Sequence, residues 1–172
     1  MGFATGSEFI YVDIESVGKG TGFVSYEQKI LGANSPSRAR RLAPKGSTII
    51  STVRPNLKGF AFIEKEVEDS IFSTGFAILQ SKDEKQLLNK VVYFAFQHSN
   101  DLMKQMEASE HGGSYPSINK NDIENLKIPV PPISEQEKLV NQIEKLEQII
   151  AKNQAKIDDA PNNKKAIMKN YL

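Results

Sequence analysis

The chain has 172 residues and no cysteine, which excludes disulfides, thiol nucleophiles and thiolate metal sites and makes the cytoplasm the expected compartment. Histidine is almost as scarce. His98 and His111 have no metal-ligand spacing, and neither has a nucleophile and an orienting acid beside it, so the sequence offers no catalytic constellation and no metal site. Asp13, Glu15 and Asp122 are scattered singly, which leaves open only an acid pair assembled by the fold. No apolar run approaches the roughly eighteen residues of a membrane span. The start lacks the basic and apolar regions of a signal peptide, and position 6 is not the Ser or Thr that a myristoylation pattern needs. Internal repeats and low-complexity tracts are absent too. An apolar fraction of 39% and a charged fraction of 25% then describe one domain of ordinary size with an appendage.

The appendage is announced by Ile128-Pro129-Val130-Pro131-Pro132-Ile133-Ser134-Glu135-Gln136-Glu137-Lys138. Its prolines hold the backbone extended, and Ser134 with Glu137 forms a Ser-x-x-Glu capping box at which a helix can begin. Beyond it, Leu139, Ile143, Leu146, Ile150 and Ile157 recur in steps of four and three, interrupted only by Asn153. That narrow stripe is the seam of a coiled coil rather than the broad face of a helix lying on a globule. A helix packing back on its own domain is the alternative. Pro161 is expected to stop the rod, with a short helix starting at Asn162 or Asn163, carrying Ile167, Met168, Tyr171 and Leu172 along one side, and folding back as a hairpin.

The formal net charge of +1 conceals an uneven distribution. Residues 18 to 60 carry Lys19, Lys29, Arg38, Arg40, Arg41, Lys45, Arg54 and Lys58 against one acid, Glu27, an excess of +7. All four arginines of the chain lie in this segment, and arginine grips phosphates and guanine edges through paired donors. The charge pattern points to a nucleic-acid face, with a solvated charge run as the alternative. For Arg40 and Arg41 a second alternative is pairing with acids such as Asp13 or Glu15.

Taken in order, residues 8–14 read as a buried strand, and Gly18-Lys19-Gly20-Thr21-Gly22 as a turn or a loop lying along DNA. The loop lacks the Gly-Lys-Ser/Thr ending of a phosphate-binding P-loop. Ser35 to Leu42 gives a turn and a short basic segment. Residues 47–53 have the β-branched density of a core strand, ending at Arg54-Pro55-Asn56, where polar side chains project beyond the sheet. Residues 60–63 and 71–79 supply two further strands. Ser81 or Asp83 is expected to cap a helix running to about Gln97, and Ser99 a second from Asn100 to about Ser109. His111 to Ser117 is a flexible polar loop, and Ile118 to Ile128 brings a short turn or helix and a final strand.

Several of these segments together resemble the specificity subunits of type I restriction-modification systems. They are Ser37-Arg38-Ala39-Arg40-Arg41, Ser51-Thr52-Val53-Arg54-Pro55, Gly113-Ser114-Tyr115-Pro116-Ser117-Ile118, and Asp122 through Pro132 followed by Glu135-Gln136. The similarity covers nearly the whole chain, and the Leu-x-Ile-Pro-x-Pro-Pro passage ending in Glu-Gln is its most specific part. The resemblance implies a target-recognition domain followed by a helical spacer. In that family a complete subunit has two such domains and two helices paired as an antiparallel coiled coil, each domain reading half of a split site in double-stranded DNA. Methyltransferase (modification) subunits using S-adenosylmethionine, and a restriction subunit using ATP and Mg, dock on that scaffold. The specificity chain itself holds no cofactor and is not an enzyme. One domain and one helical region make this sequence resemble a half subunit or a fragment, and a strand preceding residue 8 is expected to be missing.

The expected fold is therefore α+β: residues 1–132 form a DNA target-recognition domain with a twisted, partly closed β-sheet and packed helices, and residues 133–172 a coiled-coil-type spacer and dimerisation region. Arg38, Arg40, Arg41, Arg54, Asn56 and Lys58 are expected to line the DNA face, with Lys19, Ser114 and Tyr115 contributing from loops. Leu139, Ile143, Leu146, Ile150 and Ile157 would pair two copies, with no membrane involved. The alternatives are the recognition domain of a fused methyltransferase-nuclease and a coiled-coil adaptor that binds protein.

Overall fold

The structure is a computed structural model that describes residues 6–169 and 171. The chain divides into two compact units, Met1–Pro131 and Pro132–Leu172.

The first unit is built on two sheets. One contains β1 (Glu8–Val12), β2 (Lys29–Leu31), β3 (Ala39–Arg41) and β6 (Ser70–Ser73), in the order β2-β1-β6-β3, with β1 and β6 parallel and the other pairs antiparallel. The other sheet is antiparallel, with β4 (Thr48–Ser51) between β5 (Phe60–Phe62) and β7 (Phe76–Leu79). All four residues of β4 are buried. Side chains alternate along a strand, so Ile49 and Ile50 face opposite ways. Ile49 joins Val12, Ala61, Ile63, Phe72 and Phe76 in a core shared by both sheets. Ile50 joins Phe60 and the helices α1 (Asn89–His98) and α2 (Asn100–Ala108) through Val92, Phe96, Leu102, Met103 and Met106.

The α+β class holds, with the sheet divided in two. The expected strand over 71–79 is two strands, one in each sheet, because the chain turns at Thr74-Gly75. The Gly75 carbonyl there accepts from the backbone N–H and the hydroxyl of Thr52. The helix expected from Ser81 or Asp83 begins only at Asn89. Asp83 is consumed in a turn of its own: its carboxylate accepts from Lys85 N and its carbonyl from Gln86 N and Leu87 N. Ser99 caps α2 as expected, its hydroxyl accepting from Leu102 N at 3.2 Å. A short helix α3 (Lys120–Glu124) follows, closed by a capping box between Asn119 and Asp122. No strand forms around Ile128, since three prolines between 129 and 132 remove the donors a ladder needs. Strands β2 and β3 were not expected; each is only three residues long.

The second unit is one helix, α4 (Ile133–Lys169), whose 37 residues span about 55 Å at 1.5 Å each. Two expectations are corrected here. Ser134 lies inside the helix rather than capping it, because the Pro132 carbonyl already accepts from Glu135 N and Gln136 N. Pro161 does not end the helix or begin a hairpin: α4 runs through it. A proline in a helix interior removes one hydrogen bond and costs about 3 kcal/mol. The side chains over 157–165 are almost all exposed, so the carbonyl left without a donor can be hydrated. Ile167, with Ala160 and Lys164 between, falls in phase with the row from Leu139 to Ile157; Leu172 lies outside the described residues.

Replacing Pro161 with Ala should therefore slow amide exchange over residues 157–165 by a large factor, since about 3 kcal/mol of helix stability is restored there. Exchange rates identical to those of the unsubstituted chain would mean that the helix is not continuous in solution.

Candidate nucleic-acid interface

Three loops meet where β4 ends. The first is the turn after the strand, where Arg54 and Lys58 take left-handed backbone conformations (φ 47° and 52°) on either side of a 3-10 turn, Pro55–Leu57. Such conformations cost roughly 1–2 kcal/mol each in residues other than glycine, and they persist only where surrounding bonds dictate them. Arg54 N donates to Pro116 O at 2.7 Å, Leu57 N to Arg54 O and Lys58 N to Pro55 O, both at 2.9 Å.

The second loop is the tip of a small hairpin, Gly112 to Pro116, closed by paired hydrogen bonds between the backbones of His111 and Ser117. It is laid along the strand end by the Val53–Ser117 bridge and by Ile118 N donating to Thr52 O at 2.9 Å. The Arg54 guanidinium lies over the Tyr115 ring, with Cζ 4.4 Å from its centroid, and Nη2 donates to Ser114 O at 3.3 Å. Arg54, Ser114 and Tyr115 thus form one cluster, although 60 residues separate Arg54 from Ser114.

The third loop is the glycine-rich one. It closes a hairpin at the Val17–Val24 bridge, and Gly20 and Gly22 both have positive φ. A side chain at Gly22 would also collide with the Tyr93 hydroxyl, so turn geometry accounts for the glycines. The loop is fastened to the first by Gly20 N donating to Lys58 O at 2.9 Å. Gln97 secures both: its side-chain amide Nε2 donates to Gly20 O at 2.6 Å, and its backbone carbonyl accepts from Lys58 Nζ at 2.8 Å. Lys58 therefore spends one of its three donors inside the domain. Lys19 and Asn56 are exposed.

Arg40 and Arg41 come from β3, an edge strand of the other sheet, Arg38 immediately precedes it, and all three are exposed. A bulge between Ala39 and Arg41 breaks the alternation, which allows the consecutive residues Arg40 and Arg41 both to face outward. The Arg38 carbonyl accepts from Thr74 N, next to the Gly75 that bonds Thr52, so the two basic segments meet at the turn between β6 and β7. Among the described residues none of the four arginines is paired with a carboxylate. Asp13 is not available to them: its carboxylate accepts from Glu15 N, Ser16 N and the Ser16 hydroxyl. Sequence reasoning missed Gln97, which nothing distinguishes from an ordinary helix-end residue. It also missed Phe23, 66% exposed at the end of the glycine-rich turn, where an apolar residue after a run of glycines was the available signal.

Comparison with known proteins decides the family. The model of the type I restriction modification DNA specificity domain matches residues 14–160. The chain belongs to that family. The type I restriction enzyme HindI specificity subunit of Haemophilus influenzae is 21% identical over 118 residues, covering 69% of this chain and 26% of the relative. Among solved structures, the HsdS subunit of Thermoanaerobacter tengcongensis is 32% identical with a TM-score of 0.73, over 86% of this chain and 38% of that one. A chain from a type I R-M system, solved to explain its complex assembly and conformational transition, is 30% identical with a TM-score of 0.75, over 98% of this chain and 43% of that one. The specificity domain described here thus spans less than half the length of each of these relatives. No described helix is long and apolar enough to cross a membrane.

In this specificity domain the Tyr115 hairpin is anchored from behind. Asp122 Oδ2 accepts from Asn119 N at 2.7 Å and bonds His111 Nε2 at 3.1 Å. The Asn119 N–H chiefly holds the Asp122 carboxyl below the usual carboxylate range; desolvation opposes it to a smaller extent, and the contact with His111 adds to the lowering. A carboxyl whose folded pKa is depressed adds stability above its ordinary pKa and loses it as pH falls through the folded value. Asp122→Asn should accordingly lower the thermal midpoint at pH 7, and the gap to wild type should close as the pH is taken below the ordinary carboxylate range. A gap of constant size from pH 7 to pH 2 would show that the carboxylate charge contributes nothing.

Proposed function

We propose that this chain reads one half of a bipartite site in double-stranded DNA for a type I restriction-modification enzyme. It brings that specificity to the modification and restriction subunits and catalyses no step of its own. The family match over residues 14–160 carries this reading. The arginine-rich corner supports it, because a basic excess left unpaired by the domain is what an anionic partner would use.

In this reading Arg38, Arg40, Arg41, Lys19 and the remaining donors of Lys58 position phosphates. Arg54, with Asn56, Ser114 and Tyr115 near it, addresses base edges. S-adenosylmethionine, ATP and Mg would belong to the partner subunits. Arg54→Ala should cost about 1–3 kcal/mol on the selected site and little on random DNA. The experiment is selection of bound sequences from a random pool, with the modification subunit encoded beside this chain present. A split motif supports the reading, whereas failure to enrich any sequence, with binding indifferent to salt, favours a protein-binding adaptor instead.

The exposed row on α4 supports a second part of the proposal: pairing with a second helix of the same kind in antiparallel orientation. Leu146, Ile150 and Ile157 are each about 60% exposed, which is unusual for apolar residues in register along one face. Two copies joined at Leu139, Ile143, Leu146 and Ile150 would read an interrupted palindrome. Sedimentation at tens of micromolar should show a dimer that Leu146→Glu converts to monomer. A monomer at that concentration, unchanged by the substitution, would count against pairing of two copies.

A further inference from the structure

Tyr115 and Ser114 stand beside Arg54 in a way that suits support of that side chain better than a grip on DNA. Tyr115 is 70% exposed, yet one face of its ring is covered by the guanidinium. The part of Ser114 in use is its backbone carbonyl, which any residue would supply. The Arg54 backbone is set independently, by its left-handed conformation and by the bond to Pro116 O. Both ends of a normally flexible side chain are therefore held before any ligand arrives. An orientation fixed in advance reduces what binding must spend on ordering the side chain.

Of the guanidinium's five N–H donors, the Ser114 carbonyl engages one, so a pair remains for a ligand. In the major groove only guanine offers two adjacent acceptors, O6 and N7, that match such a pair. Adenine offers an acceptor beside a donor, and thymine and cytosine a single polar group each. The other arginines are held less closely: Arg40 Nε bonds Ser37 O at 2.6 Å, within its own turn, and the only described arginine with a ring beneath it is Arg54. We propose that Tyr115 and Ser114 are positioning residues that act through Arg54, presenting its guanidinium to a guanine in the half-site, and that the Tyr115 ring rather than its hydroxyl does this. The proposal rests on the DNA reading above and assigns its specificity to one base and one stacked pair.

The test uses the full chain on its selected site, with guanines replaced one at a time by 7-deazaguanine, which lacks the N7 acceptor. At one position the wild type should lose roughly 5- to 150-fold in affinity. Arg54→Ala, which removes every donor, should abolish that difference. Tyr115→Phe should keep it, while Tyr115→Leu, with an unchanged thermal midpoint, should reduce the discrimination roughly two- to fivefold, the worth of an exposed cation–π contact. Full discrimination in Tyr115→Leu overturns the proposal, as does equal weakening on guanine and 7-deazaguanine, which would make Tyr115 a DNA contact in its own right. Loss of discrimination in Tyr115→Phe, or no guanine whose replacement matters in an Arg54-dependent way, overturns it as well. Failure of the wild type to select any sequence is a different result, which removes the DNA reading and this proposal with it.

Discussion

Ile49 and Ile50 are neighbours on one fully buried strand and belong to different cores. β4 is the central strand of its sheet, so one face packs toward the other sheet and the opposite face toward the helices. Truncating either isoleucine to alanine would cost about 2–5 kcal/mol, a large share of the 5–15 kcal/mol that holds a domain together. A slip of one residue would exchange the two side chains and disturb both cores at once. The register of β4 is accordingly well specified, and with it the position at which the strand stops.

That position matters because Arg54 follows a few residues later. The strand is anchored on both faces, so the turn beyond it inherits a fixed place, and two left-handed residues can be kept there although each is unfavourable alone. The hairpin around Tyr115, the glycine-rich turn and Gln97 then fasten to this turn by main-chain hydrogen bonds and by side-chain donors, Arg54, Lys58 and Gln97, that end on main-chain carbonyls rather than on carboxylates. The charged groups of Arg38, Arg40, Arg41 and Arg54 are thereby left out of carboxylate pairing.

The helical unit follows a different logic. α4 has little apolar surface buried within itself, and its row of exposed leucine and isoleucine repeats at seam spacing. Pro161 looks like a terminator because it forfeits a hydrogen bond. In a long helix with water on most sides that loss is local and does not outweigh the turns on either side. Here the local rule was a weaker guide than the length of the helix.

Composition and spacing were enough to show an α+β domain, a launch point near Pro132, a long helix with an apolar row, the cap at Ser99, and a basic segment holding every arginine. These are local properties: period, capping residues and the sign of charge are written in consecutive positions. Other features depended on contacts between residues far apart in the chain. The turn at Gly75 that splits one apolar run between two sheets is stabilised by Thr52, and the three-residue strands β2 and β3 exist only because β1 and β6 pair with them. The stacking of Arg54 on Tyr115 joins two loops sixty residues apart. The sequence by itself determined where the arginines lie and how the positive charge is distributed along the chain. Only the tertiary structure decided which of them is held still, because fixing a long flexible side chain takes partners that the chain brings together when it folds.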